Sequence, residues 1–99
     1  MYIGVQLTLA VANTAYNLKT LIDAIEPMLQ GTADEVVIQA DSGAGTVLVG
    51  DSQISGTRYG YVLAPGDSRT YRLPGRIRTN EMWLRSATAG KKVNVEVLA

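Results

Sequence analysis

Apolar and polar positions alternate at both ends of the chain. Ile3, Val5, Leu7, Leu9 and Val11 recur at every second residue, with Gly4, Gln6, Thr8 and Ala10 between them. A side-chain period of two marks a strand with one buried face. Near the other end Val93, Val95 and Val97 alternate with Asn94, Glu96 and Leu98. That valine-rich pattern predicts an edge or closing strand with a solvated outer face.

The period changes after the first strand. Leu18, Leu21, Ile22 and Ile25 stand at i, i+3, i+4 and i+7, one face of a helix, with Lys19, Thr20, Asp23 and Glu26 mostly on the other side. Asn13-Thr14 offers capping side chains. Pro27 breaks the ladder, so the regular helix should end near Glu26. Met28 and Leu29 carry the apolar face through a last turn, and Gly31 is a natural stop. A helical insertion over about 14–29 is therefore predicted. So short a helix must be packed, as a lid over one end of a sheet.

The rest reads as strands and turns. Residues 35–41 (E-V-V-I-Q-A-D) predict a well-buried strand, 42–45 (S-G-A-G) a turn, and 46–49 the returning strand of a hairpin. Residues 47–73 then predict strand, loop, strand, turn, strand. The polar loop spans 50–60, and Ala64-Pro65-Gly66-Asp67 suits a type II turn, with Pro65 presetting φ and Gly66 accepting a positive φ. Leu73-Pro74-Gly75 predicts a further turn, 81–86 a strand anchored by Trp83, and 88–91 a turn. Seven or eight short strands with Gly/Pro turns argue for a β-sandwich or barrel with one helix inserted after the first strand.

Composition narrows the chemistry. The 99 residues suit one domain, 1–99. There is no cysteine, hence no disulfide or thiolate, and no histidine, the commonest general base and metal ligand. Net charge is zero, yet residues 1–49 carry one basic against five acidic residues (net −4) and residues 50–99 eight against four (net +4). A fold that interleaves strands spreads this charge evenly; two opposed faces would instead attract neighbouring copies. No apolar run approaches the roughly 20 residues of a membrane span. The first residues lack the basic segment of a signal peptide, so the expectation is a protein that stays in the cell that makes it or leaves by lysis.

Four groups of residues invite a functional reading. Arg69, Arg72, Arg76 and Arg78 fall within ten residues without an acid. They could contact phosphates, but aromatic partners are sparse and the chain is not basic, so a solvated or subunit-contacting face is expected. Gly-Asp-Ser occurs at Asp51-Ser52 and Asp67-Ser68; without a histidine or a following helix these read as turn caps rather than nucleophiles. Asp34, Glu35, Asp41, Asp51 and Asp67 lack the D-x-D-x-D spacing of a calcium loop. Tyr59 and Tyr61 bracket Gly60, and either pack the core, meet another copy or stack on a ligand such as a sugar. The candidate interaction surface is Arg58, Tyr59, Tyr61, Arg69, Arg72, Arg76 and Arg78. No catalytic, cofactor-binding or metal-binding residue is assigned.

The run V-V-I-Q-A-D-S-G-A-G-T-V-L-V-G-D-S-Q-I-S-G-T-R-Y-G-Y-V-L-A-P-G-D-S (36–68), followed by W-L-R-S-A-T-A-G-K-K-V-N-V-E-V-L (83–98), resembles small virion structural proteins of tailed bacteriophages. The resemblance covers roughly 35–98. It departs at Leu48, where that family commonly has an aromatic, and the helical segment is not universal there. It implies a mainly-β, single-domain antiparallel β-sandwich, jelly-roll-like, acting as a non-enzymatic capsid decoration or cement protein. Its implied partners are the major capsid protein or another virion protein, and further copies of itself as a dimer or trimer. No cofactor, nucleic acid or membrane is expected. Its place would be the virion, after synthesis in the bacterial cytoplasm. The alternative is a tail- or fibre-associated binding module, carbohydrate-directed in one form.

Overall fold

The two alternating ends of the chain pair with each other. In the computed structural model, which describes residues 1–27 and 32–99, β1 (Tyr2–Leu9) lies antiparallel to β8 (Lys91–Leu98), the last strand. The strands between are β2 (Tyr16–Asn17), β3 (Thr32–Ala40), β4 (Val47–Gly50), β5 (Tyr61–Leu63), β6 (Ser68–Arg78) and β7 (Trp83–Arg85). One four-stranded sheet has the order β1-β8-β3-β6 and the other β2-β7-β4-β5, and every pairing is antiparallel.

Register turns the sequence pattern into rows of side chains. Ile3, Val97, Val36 and Tyr71 lie opposite one another across the first sheet, as do Val5, Val95, Ile38 and Arg69. The facing rows of the second sheet run Tyr16, Leu84, Val49, Tyr61. Ile3, Val36, Ile38, Val95, Val97, Val49 and Leu84 are all buried in one shared cluster. The opposite face of the first sheet is polar. Gln6 Nε2 donates to Asn94 Oδ1 (3.0 Å), and Asn94 Nδ2 donates to Gln39 Oε1 (3.2 Å), a ladder of cross-strand amides.

Several sequence expectations are corrected. β8 is not an edge or closing strand but lies between β1 and β3; alternation reports which faces are wet, not how many neighbours a strand has. The hairpin over 35–49 does not form. β3 pairs with β8 and β6, while β4 pairs with β5 and β7, so the 42–45 segment carries the chain from one sheet to the other. Gly45 is required in that crossing: its φ is +104°, and a Cβ there would sit 2.5 Å from Thr88 Oγ1. Val11 lies beyond the end of β1 and is exposed.

The helix is shorter than predicted. α1 spans Leu18–Asp23 and is capped by Asn17, whose Oδ1 accepts from the Thr20 N–H at 3.1 Å. Asn13 and Thr14 do not cap it. Asn13 takes φ +56° and its N–H donates to the Ser86 carbonyl (2.7 Å), while Tyr16–Asn17 pair with β7 before the helix begins. Strand pairing up to Asn17 thus displaces the cap by three or four residues. Leu18 and Ile22 are buried, Leu21 is partly buried, and Ile25 is exposed. The predicted last turn at Met28 and Leu29 and the stop at Gly31 lie outside the described residues.

The 64–67 turn forms as its residues dictate: Gly66 has φ +87° and the Asp67 N–H donates to the Ala64 carbonyl (2.9 Å). The predicted 73–75 turn becomes an excursion within β6. Arg72 pairs with Glu35 and Ile77 with Ala33, so four residues of β6 stand opposite Asp34 alone. The Asp34 carboxylate accepts from the Gly75 N–H (2.6 Å), and Gly75 takes φ +68°. Proline is tolerated at Pro74 because β6 is an edge strand.

Candidate functional site

The apolar rows of both sheets run out at the same place. β5 ends one sheet and β6 ends the other, and the 64–67 turn joins them. The last members of the inward rows are Tyr61 on β5 and Arg69 and Tyr71 on β6. These three meet. The Arg69 guanidinium carbon lies 4.3 Å from the Tyr61 ring centroid and 5.1 Å from that of Tyr71. Both distances are within cation–π range, and the stacked guanidinium closes the open side of the core while keeping its charge toward water.

Beside this stack runs a groove of about 630 Å³. Val49, Tyr71, Leu73, Ile77 and Met82 supply its apolar lining; Arg69, Arg72, Arg78 and Glu81 supply its charge. The cations are unequally engaged. Arg72 is directly opposite Glu35 and pairs with it, Nη2 to Oε2 at 2.8 Å. Arg78 reaches Glu81 only at 3.8 Å. Arg76 is exposed on the excursion and has no ion-pair partner among the described residues.

Of the sequence candidates, Arg69, Arg72 and Arg78 therefore line one groove, with Tyr61 stacked at its side and Arg76 close by in sequence. Arg58 and Tyr59 belong to a different feature, the 50–60 loop. Arg58 Nη2 donates to Asp51 Oδ2 (2.9 Å), the Gln53 N–H donates to Asp51 Oδ1 (2.9 Å), and the Ser55 Oγ accepts from the Arg58 N–H (3.0 Å). The Arg58 hydrogen bond, helped by Gln53, holds the Asp51 carboxyl below its ordinary pKa. Ile54 is buried and anchors the loop. The loop is thus a bonded structure with Tyr59 on its surface at 45% exposure. Tyr61 is 39% exposed, so neither tyrosine belongs to the core.

The two Gly-Asp-Ser segments act as turn chemistry. Asp51 caps its loop as above, and Asp67 Oδ2 accepts from the Ala64 N–H (3.2 Å). Among the described residues, no three acids are grouped to hold a metal ion, and no helix is long and apolar enough to cross a membrane.

Met82 was not singled out from sequence, whereas Trp83 stands there as the anchor of the 81–86 strand. Met82 lines the groove because the residues before it, Thr79–Glu81, make a 3₁₀ turn rather than continuing the β7 strand. Trp83 is half-buried beside Asp51, Ser52, Asn80 and Glu81 in a depression of about 380 Å³. Met82 had no local signal for the groove, and the placement of both residues depends on where β7 starts.

The stack makes a titration prediction. Burial pushes the Tyr71 phenol above its ordinary pKa of 10.0, and the nearby Arg69 charge opposes part of that rise. A raised folded-state pKa favours the protonated native state, so this contribution is complete below pH 10 and is lost as pH climbs through the raised value. Arg69→Gln removes the opposing charge and is expected to move Tyr71 further up. Ultraviolet titration of phenolate absorbance, with Tyr71→Phe to assign the transition, measures this; a fall on removing Arg69 would contradict the stack.

No protein-family model matches the chain, and no curated protein matches it.

Proposed function

We propose that this chain is a non-enzymatic structural protein of a tailed-phage virion, whose two sheets pack as a jelly-roll-like β-sandwich and which decorates or cements the capsid. The observation that carries the reading is the shared open edge. Among the described residues, β5 and β6 leave their outer sides unpaired next to each other, with Tyr61, Val62 and Leu73 exposed and the arginines of β6 around them. Exposed sheet edges are normally shielded against chance pairing, so two adjacent open ones bearing aromatic and arginine side chains suit protein contact. The family resemblance of residues 35–98 supplies the virion context. Cementing would work by mass action: many copies that bind assembled shell better than free subunits stabilise the shell. The partners in this reading are the major capsid protein or another virion protein, with the chain itself a dimer or trimer.

The test is mass spectrometry of phage particles purified from cells that carry this coding sequence. The chain is expected in stoichiometric amounts in the particle; its absence there rejects the reading. A second reading, a tail- or fibre-associated module that binds carbohydrate, is favoured by the half-buried Trp83 beside Asp51, Ser52 and Asn80. Tyr61 is a poorer platform because Arg69 already covers one of its faces. Binding on a glycan array that Trp83→Ala abolishes would decide for that reading.

A further inference from the structure

We infer that the outer edge of β6 accepts an extended, acidic segment of a partner protein as an added strand, laid along the groove. This inference names the contact that the structural-protein reading leaves open, and rests on that reading only for who the partner is.

Three observations converge. First, among the described residues β6 pairs on one side only, with β3, so from Ser68 to Arg72 they leave one side of a regular strand free. An incoming strand of about five residues would cover roughly 17 Å of it before the Pro74–Gly75 excursion interrupts the edge. Second, the groove beside that edge is mixed. Val49, Ile77 and Met82 offer an apolar floor to every second side chain of the added strand, while Arg69, Arg72 and Arg78 stand along it. Third, part of the charge is unspent. β6 holds four arginines and no acid between Ser68 and Arg78, Arg76 has no acidic partner among the described residues, and Arg78 meets Glu81 only loosely.

The same charge discriminates among occupants. Two copies joined by their β6 edges about a two-fold axis would bring the arginines of one strand beside those of the other with no acid between them, and like charges across a strand pair are destabilising. A second copy therefore does not fit this edge. Nucleic acid fits less well than peptide. Arg72 is already neutralised by Glu35, Glu81 stands in the groove lining, and a strand edge offers peptide hydrogen bonds that a phosphodiester cannot match in register. An alternating acidic and apolar peptide satisfies all three features at once.

The test uses the full chain, labelled for amide NMR, and three probes: a capped heptapeptide alternating valine and glutamate, its valine–lysine counterpart, and an oligothymidylate. The acidic peptide is expected to shift and protect amides within Ser68–Arg72. It should bind at least about tenfold tighter than the lysine peptide, and more weakly as salt is raised. Arg76→Glu with Arg78→Glu, both exposed positions, is expected to weaken it about tenfold while β1 and β8 amides stay in place. Four results overturn the inference: equal binding of the lysine peptide, tighter binding of the oligothymidylate, concentration-dependent shifts at β6 without peptide, or no shift at millimolar acidic peptide. Each is separable from the virion reading, which stands or falls on the composition of the particle.

Discussion

Leu84→Ala is expected to lower the unfolding free energy by about 2–5 kcal/mol, the range for removing a buried leucine whose surroundings cannot collapse around the gap. Leu84 is fully buried at the middle of β7, an inner strand of the second sheet with β2 on one side and β4 on the other. It stands opposite Tyr16 on one side and Val49 on the other, so backbone pairing fixes the walls of any cavity left behind. The loss is large against the roughly 5–15 kcal/mol that holds a domain of this size folded. Urea unfolding measures it, with a lower midpoint and an unchanged slope. Leu98→Ala is the control. Leu98 lies on the wet face of β8, and its truncation should cost well under about 1 kcal/mol. If both variants lost the same amount, the assignment of faces along β8 and β7 would be wrong.

The control shows which part of the fold was legible. Where apolar residues alternate, faces are read directly: Ile3, Leu7, Val93 and Val97 are all buried, and Gln6 and Glu96 all exposed. Turn residues were equally informative, because the backbone conformation they permit is local, as at Gly66. Strand partners were not legible. Residues 35–49 carry every local mark of a hairpin, yet β3 and β4 enter different sheets. The preference for neighbours in sequence is overridden when both strands find longer or better buried partners elsewhere, as β3 does against β8 over Glu35–Leu98 to Ala40–Val93.

The candidate site was legible by composition and not by geometry. Arginines and tyrosines on 58–78 were visible as a group, but only register decides who meets whom. Val36 opposite Tyr71 and Ile38 opposite Arg69 place those two side chains on the inner face, where they reach Tyr61. The neighbouring Arg72 falls on the other face and finds Glu35 instead. A one-residue slip of β6 would exchange these roles. The lopsided charge also resolves here, since Glu35 comes from the acidic half and Arg72 from the basic half, and pairing of β3 with β6 mixes them.

Lys91→Met is expected to cost about 2–6 kcal/mol, more than its place in a Gly-Lys-Lys turn suggests. Lys91 is only 3% exposed, and its ammonium donates to the carbonyls of Asp41 and Gly43, each at 2.6 Å. It continues the inward row of Val93, Val95 and Val97 by one further step of two residues, the signal by which its burial could have been read. Its role is to satisfy the backbone where the chain crosses between sheets, a segment with no strand partner of its own. Replacing a buried ion pair by apolar groups is often harmless because both charges leave together. That compensation is absent here: methionine keeps the stem but leaves both carbonyls facing an apolar group, at about 1–3 kcal/mol for each unsatisfied acceptor. Urea unfolding gives the total, and amide exchange localises it. Faster exchange confined to 42–45 and the adjoining ends of β3 and β4 would identify the crossing as the element Lys91 holds. A variant as stable as the parent would mean that water takes over both acceptors, and that the lysine is dispensable to the fold.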